Sequence, residues 1–93
     1  MHFEWDPEKN VENIEKHGVS FDEAKLAWLD SHRVSDRDTR HSDEELRFYL
    51  YGKVDSDVLT VRYTRRGDLI RIRGAGYWRE GRERYEQRNT WRR

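Results

Sequence analysis

The sequence predicts an α+β fold, with two N-terminal helices packed on an antiparallel sheet of three to four strands and a C-terminal helix at the end. Three observations predict it. Helix-capping residues crowd the first thirty positions, three alternating segments follow one another from Leu46 to Arg73, and Trp78 to Asn89 returns to helix-compatible residues. The chain has 93 residues, which is room for a single domain spanning 1–93, since domains cluster near ~100 to 150 residues. Only 33% of residues are hydrophobic and 41% are charged, yet 4 Trp, 5 Tyr and 3 Phe are present. Rings of this kind bury ~150 to 250 Å² each, so a small aromatic core is expected rather than disorder.

Each element has a local reason. His2-Phe3-Glu4-Trp5 alternates polar and apolar residues and reads as a short edge strand. Asp6-Pro7 then sets an N-cap and a first helical position where the missing proline N–H costs nothing. Val11 and Ile14 recur at helical spacing, and Gly18 stands where a left-handed residue ends a helix. A second helix opens at Ser20, with Glu23 three residues on as a capping box, and Phe21, Ala24, Leu26, Trp28 and Leu29 give it an apolar face up to Asp30-Ser31. Residues 32–38 form a weak strand, and Thr39 to Glu45 an acidic loop or helical turn. Leu46, Phe48 and Leu50 alternate with Arg47, Tyr49 and Tyr51. Leu59, Val61 and Tyr63 alternate with Thr60, Arg62 and Thr64, and Ile70 and Ile72 with Leu69, Arg71 and Arg73. Turn residues at Gly52 to Asp57 and Arg65 to Asp68 make these strands a meander. Gly74-Ala75-Gly76 is expected to break the last strand, and Gly81 to weaken the third helix.

A net charge of zero conceals an asymmetry. Residues 1–60 carry 8 Lys/Arg and 15 Asp/Glu, a balance of −7, whereas residues 61–93 carry 11 Arg and 4 acids, a balance of +7. Every cation of the second part is Arg, whose planar fork binds phosphate bidentately. With the helices covering the apolar face of the sheet, the other face would present Arg47, Arg62, Arg71 and Arg73 with tyrosines and no competing acid, a surface suited to single-stranded or folded RNA. The absence of cysteine excludes disulfides, zinc ribbons and thiol nucleophiles and agrees with a reducing compartment. There is no signal-like N-terminal segment and no apolar run near ~20 residues, so a soluble cytoplasmic protein without a membrane partner is expected.

The ordered set Phe3-Glu4-Trp5-Asp6, Lys9, Asn13, Lys16-His17-Gly18, Phe21, Ala24, Asp30, His41-Ser42, Glu45, Arg47-Phe48, Gly52, Leu59, Val61, Tyr63-Thr64, Arg66-Gly67, Arg71-Ile72 and Tyr85 resembles the BrnT family, ribonuclease toxins of bacterial type II toxin–antitoxin systems. The resemblance implies a RelE-like fold, metal-independent cleavage of RNA without a cofactor, and neutralisation by a BrnA-like antitoxin, with DNA reached only through that antitoxin. A homodimer and a heterotetramer with the antitoxin are both open. One position departs. Many members read Arg-Ile-Ile-Ser-Ala-Arg where this chain has Arg71-Ile72-Arg73-Gly74-Ala75-Gly76, so the closing arginine is replaced by Gly76.

Metal-free cleavage needs a proton acceptor for the 2′-OH, charge on the phosphate and a proton for the leaving 5′ oxygen. Arg66, Arg71 and Tyr77 are the expected catalytic residues, the arginines for phosphate and the tyrosine for its hydroxyl. Arg62, Arg73 and Arg79 are the expected RNA-binding residues, with Arg73 or Arg79 standing in for the missing arginine. Tyr63 shares a face with Leu59 and Val61 and belongs to the core. His17 suits a helix C-terminus, His2 is incidental, and His41, among Asp38, Asp43 and Glu44, is a weaker general-acid candidate than a turn residue. No spacing of His, Cys or Asp matches a metal motif. The Arg-rich tail from Arg82 to Arg93 reads either as a helix packing Trp78 and Tyr85 on the sheet or as an arm ordered by a partner. Beside the ribonuclease reading stand a non-catalytic partner or corepressor of the same fold and a general RNA-binding protein.

Overall fold

Side chains alternate across a strand, so strand pairing decides which residues are buried and which face is offered to a ligand. The computed structural model describes residues 1–40 and 45–90. In chain order the elements are β1 (His2–Glu4), α1 (Pro7–His17), α2 (Phe21–Ala24), a 3₁₀ helix (Lys25–Leu29), β2 (Val34–Arg37), β3 (Arg47–Val54), β4 (Asp57–Arg66), β5 (Leu69–Gly76) and α3 (Arg79–Asn89). The expected antiparallel sheet of three to four strands is a mixed sheet of five, ordered β1-β5-β4-β3-β2. Its antiparallel part is the predicted meander with β2 added at one edge. At the other edge β1 lies parallel to β5, with Phe3 opposite Ile70 and Glu4 opposite Arg71. Three residues carry too little periodicity to announce a partner in advance. Among the described residues, no helix is long and apolar enough to cross a membrane.

The capping chemistry operates largely as read. Asp6 accepts a hydrogen bond from the Glu8 N–H, Pro7 opens α1, and Gly18 closes it at φ 69°. Ser20 Oγ accepts from the Glu23 N–H at 3.0 Å, but the Glu23 carboxylate turns away from the cap and takes the Tyr77 hydroxyl instead. The second helix is α-helical for only four residues before tightening into the 3₁₀ segment, which turns Ala27 and Trp28 onto the sheet and leaves Leu29 exposed. Val11 and Ile14, the apolar stripe expected on α1, are 53% and 45% exposed. The residue that α1 buries is polar. Asn13 Nδ2 donates to the carbonyls of Val19 (2.8 Å) and Ala75 (2.9 Å), and its Oδ1 accepts from the Ala75 N–H (3.2 Å). One amide thereby satisfies backbone groups of β5 and of the α1–α2 connection that burial would otherwise leave unpaired.

The core forms between this helical layer and one face of the sheet. Val19, Phe21, Ala24 and Ala27 meet Leu50, Leu59, Val61, Tyr63, Ile70, Ile72 and Ala75, and Phe3, Trp5, Trp28 and Phe48 close its margin. Tyr63 is buried there as expected, its hydroxyl bonded to Ser35 at 2.9 Å. The expectation that all helices cover this one face is corrected by α3, which lies on the opposite face. There Tyr85 packs with Tyr51 and Val58 in a second, smaller cluster. The close approach requires Gly81, because a Cβ at that position would stand 1.8 Å from Thr60 Oγ1.

Asp30, at the end of the 3₁₀ helix, ties α3 down. Its carboxylate accepts from the Tyr85 hydroxyl (2.6 Å) and from the N–H groups of Lys53 (2.8 Å) and His32 (2.8 Å). Burial alone would raise its pKa, and these hydrogen bonds overcome that to hold it below the ordinary carboxylate value. A depressed folded-state pKa stabilises the fold above the unfolded pKa, and that stabilisation disappears as pH falls through the folded value. Asp30→Asn is therefore expected to lower the urea midpoint at pH 7, with mutant and native midpoints converging below about pH 4. Urea titrations across this range measure it.

Candidate functional site

The register of β4 against its neighbours assigns every side chain to a face. Arg62 pairs with Tyr49 on one side and Gly74 on the other, and Thr64 pairs with Arg47 and Arg71. All six belong to the face opposite α1 and α2, so the arginine face read from alternation exists, with α3 covering part of it. Between Arg62 and Tyr63 the register shifts. Tyr63 pairs with Ile72 but Arg62 with Gly74, which leaves Arg73 as the extra residue of a β-bulge. The segment Gly74–Gly76, expected to break the strand, stays within β5.

Two recesses open on this face. The larger, about 650 Å³, is lined by Tyr49, Tyr51 and Thr60 of the sheet, by Asp36 and Asp38 at the β2 edge, by Arg62, and by Trp78, Gly81 and Arg84 beneath α3. The smaller, about 240 Å³, is lined by Arg65, Arg66, Leu69, Arg71 and Arg73 with Glu4, Glu45 and Thr64. Of the six residues expected from sequence, Arg66, Arg71 and Arg73 thus meet in one recess, and Arg62 stands in the other, one strand pair away. Arg79 points elsewhere and is 3.8 Å from Glu83 on an exposed turn of α3. Tyr77 also stands apart. It follows β5 at the end remote from Arg66, and at strand rise Arg71 and Gly76 are already ~15 Å distant. Its hydroxyl donates to Glu23 at 2.6 Å, and burial together with that carboxylate pushes its pKa far up. His41, Arg92 and Arg93 lie outside the described residues.

The expectation of a face without competing acids is corrected. Arg71 Nη1 is 2.9 Å from Glu4, and Arg73 Nη2 is 3.3 Å from Glu45. Asp36 receives Arg88 at 2.5 Å and Arg84 at 3.6 Å. The acids arrive from β1, β2 and the segment before β3, none of which the alternating pattern had placed against this face. Arg62 differs from these. Among the described residues it has no carboxylate partner, and its guanidinium turns its Nε–Nη2 edge to Gly74, where a Cβ would come 2.4 Å from Nη2, 2.8 Å from Nε and 3.0 Å from Cζ. Beside it the Trp78 indole covers Gly76, a Cβ there standing 2.5 Å from the ring. The His17 ring meets this indole edge-on at 5.2 Å.

The residues missed by sequence reading are Tyr49, Asp36, Asp38 and Trp78. Tyr49 was legible, since it alternates with Phe48 and Leu50. Its phenol is hydrogen-bonded to Asp38, and burial first, with that carboxylate, raises its pKa. Asp36 belongs to a polar edge strand of four residues and Asp38 follows it, a stretch that gives no pattern to read. Chemically, the face offers Arg62, without a carboxylate partner among the described residues, Arg66, and Arg71 and Arg73 in weak pairs, next to aromatic rings. This combination binds phosphodiesters and unstacked bases. Since α3 roofs the larger recess through Gly81, Gly81→Ala is expected to lower thermal stability, and Thr60→Ala in the same chain to restore part of the loss. A double-mutant cycle of melting temperatures with a coupling near zero would separate the two residues.

The sequence model of one family, described as ribonuclease toxin, BrnT, of type II toxin–antitoxin system, matches residues 5–81. The match takes in α1 and strands β2 to β5 and ends within the first turn of α3. No curated protein matches the chain.

Proposed function

The chain belongs to the BrnT family of type II toxin–antitoxin ribonuclease toxins, and from that premise we propose that it cleaves RNA without a metal ion, on the arginine face, and is neutralised by a BrnA-like antitoxin. The observation that supports this is Arg62, a cation held against Gly74 inside the larger recess with no carboxylate partner among the described residues. In cleavage by the neighbouring 2′-hydroxyl, the 2′ oxygen loses its proton and bonds to phosphorus, while the P–O5′ bond breaks and the 5′ oxygen gains a proton. Negative charge grows on the non-bridging oxygens at the midpoint. A guanidinium already in position stabilises that charge without reorganising, and it stays protonated at any working pH.

Arg71, Arg73 and Arg66 extend this charge along the strand into the smaller recess. The Arg71 and Arg73 side chains are 39% and 38% exposed, and ion pairs so placed contribute ~0 to 1 kcal/mol. A phosphate offering two acceptor oxygens displaces Glu4 or Glu45 at little cost. These acids keep the forks ordered before RNA arrives, and they exchange readily when it does. A polynucleotide would thus run from the Arg62 recess toward Arg66 along β4 and β5.

A second reading, a partner module that binds without cutting, has one observation in its favour. The place of the family's closing arginine is Gly76, and Trp78 fills the space a side chain would need. The same variants decide between the two. Arg62→Ala is expected to lower the cleavage rate ~10² to 10³-fold, and Arg62→Lys nearly as much, because a point ammonium does not reproduce the planar fork. Chelator should leave the native rate unchanged. Native protein that binds RNA yet leaves it intact would favour the partner module, and inhibition by EDTA would overturn metal independence.

A further inference from the structure

The larger recess contains more than a phosphate ligand requires. Tyr49 and Tyr51 stand two residues apart on one face of β3, with rings 7° from parallel and centroids 6.2 Å apart. Tyr51 is buried, and Tyr49 is half-buried at the recess wall. At the β2 edge, Asp36 directs one carboxylate oxygen to Arg88, while its Oδ2 is buried with no hydrogen bond among the described residues, the Arg84 Nη1 remaining 3.6 Å away. A buried acceptor left in this condition calls for a donor. At about 650 Å³ the recess is also in the size range of pockets that take whole small molecules, ~300 to 1,000 Å³, and far larger than one phosphate needs.

We propose that this recess is a nucleobase subsite, taking one unpaired base that carries an exocyclic amino group, with its ring against Tyr49, its amino N–H on Asp36 Oδ2, and the adjoining phosphate on Arg62. The inference rests on the ribonuclease reading and adds base selection to it. Adenine, cytosine and guanine each supply an amino donor. Uracil has no amino group, and its one donor, N3–H, stands between two carbonyl oxygens that a carboxylate meets unfavourably, so it binds more weakly. Asp36 becomes available when Arg84 moves aside. That side chain is 48% exposed and retains Glu80, one turn away at 3.3 Å, as a partner. A base within a duplex has its amino edge engaged and its faces covered, so the subsite takes single strands.

The test uses the full chain and uncleavable 2′-O-methyl oligonucleotides of five residues, all uridine or with adenosine, cytidine or guanosine at the centre. Native protein should bind the three amino-bearing versions ~10-fold more tightly than the all-uridine one. Asp36→Asn should remove the difference, since an amide can offer its NH₂ to uracil. Tyr49→Ala should weaken the amino-bearing versions ~10-fold or more while Tyr49→Phe retains them, as expected of ring stacking. Circular dichroism and melting temperature confirm that each variant is folded. Equal affinity for all four oligonucleotides, or a Tyr49→Ala protein that binds them unchanged, overturns the subsite. So does a Tyr49→Ala protein that loses only its antitoxin, which would make the recess a protein-docking surface. Cleavage of unmodified RNA runs in parallel. Native protein that cuts RNA without base preference defeats the subsite alone, whereas one that neither binds nor cuts defeats the ribonuclease reading beneath it.

Discussion

A single extra residue in β5 determines what the sheet offers to a ligand. Without the bulge at Arg73, strict alternation from Ile70 and Ile72 would put Gly74 and Gly76 in the core and Ala75 outside. With it, Ala75 enters the core, where Asn13 holds both its backbone groups, and the two glycines come to the opposite face. That face therefore has a stretch of bare backbone between Arg71 and Tyr77. Arg62 and Trp78 lie directly on it, each in a place where one methyl group would collide. The bulge, the Asn13 bridge and the glycines form one device. Bulges bend a strand and re-aim its side chains, and here the glycines it exposes let a guanidinium edge approach the sheet beside an aromatic wall.

The helices divide the work that this arrangement requires. α1, α2 and the 3₁₀ segment cover the apolar face, and their burial supplies most of the hydrophobic stabilisation. α3 contributes little of that kind. Its buried contacts are Gly81 and Tyr85, and it is otherwise held by polar links, from Tyr85 to Asp30, from Arg84 and Arg88 to Asp36, and from Asn89 to the His32 carbonyl. Such links are weak when exposed and sensitive to salt and pH. The roof of the larger recess is thus fastened more loosely than its floor.

Much of this was legible in the sequence, and the failures have physical causes. Caps at Asp6-Pro7, Gly18 and Ser20 and the alternation of β3, β4 and β5 are local signals, and they gave the right elements and the right faces for Arg62 and Arg71. β1 and β2 are three and four residues long, so their pairing depends on partners distant in sequence, and the acids they bring, Glu4 and Asp36, could not be placed. The stripe of Val11 and Ile14 misled because helical periodicity marks a face without saying which face is buried. At α1 the demand of unsatisfied backbone groups prevails and Asn13 turns inward. Gly74 and Gly76 read as strand breakers because glycine weakens strands in general. Only the tertiary contact shows what they admit.

The opposite charges of the two parts of the chain follow the same logic. The acids of residues 1–60 are carried by β1, β2 and the approach to β3 to the arginines that follow residue 61, giving the pairs Glu4–Arg71, Glu45–Arg73 and Asp36–Arg88. Unpaired, so many cations on one small sheet would repel one another and destabilise the compact state. Paired at the surface, they cost little to hold and little to release, which is what the proposed function would ask of a face that keeps its forks aligned and then yields them to a polyanion. Arg62 is not subject to that exchange. It is seated on Gly74 and opposed by no described carboxylate, so on the proposed ribonuclease reading the free energy of the first phosphate contact would go into binding rather than into breaking a pair.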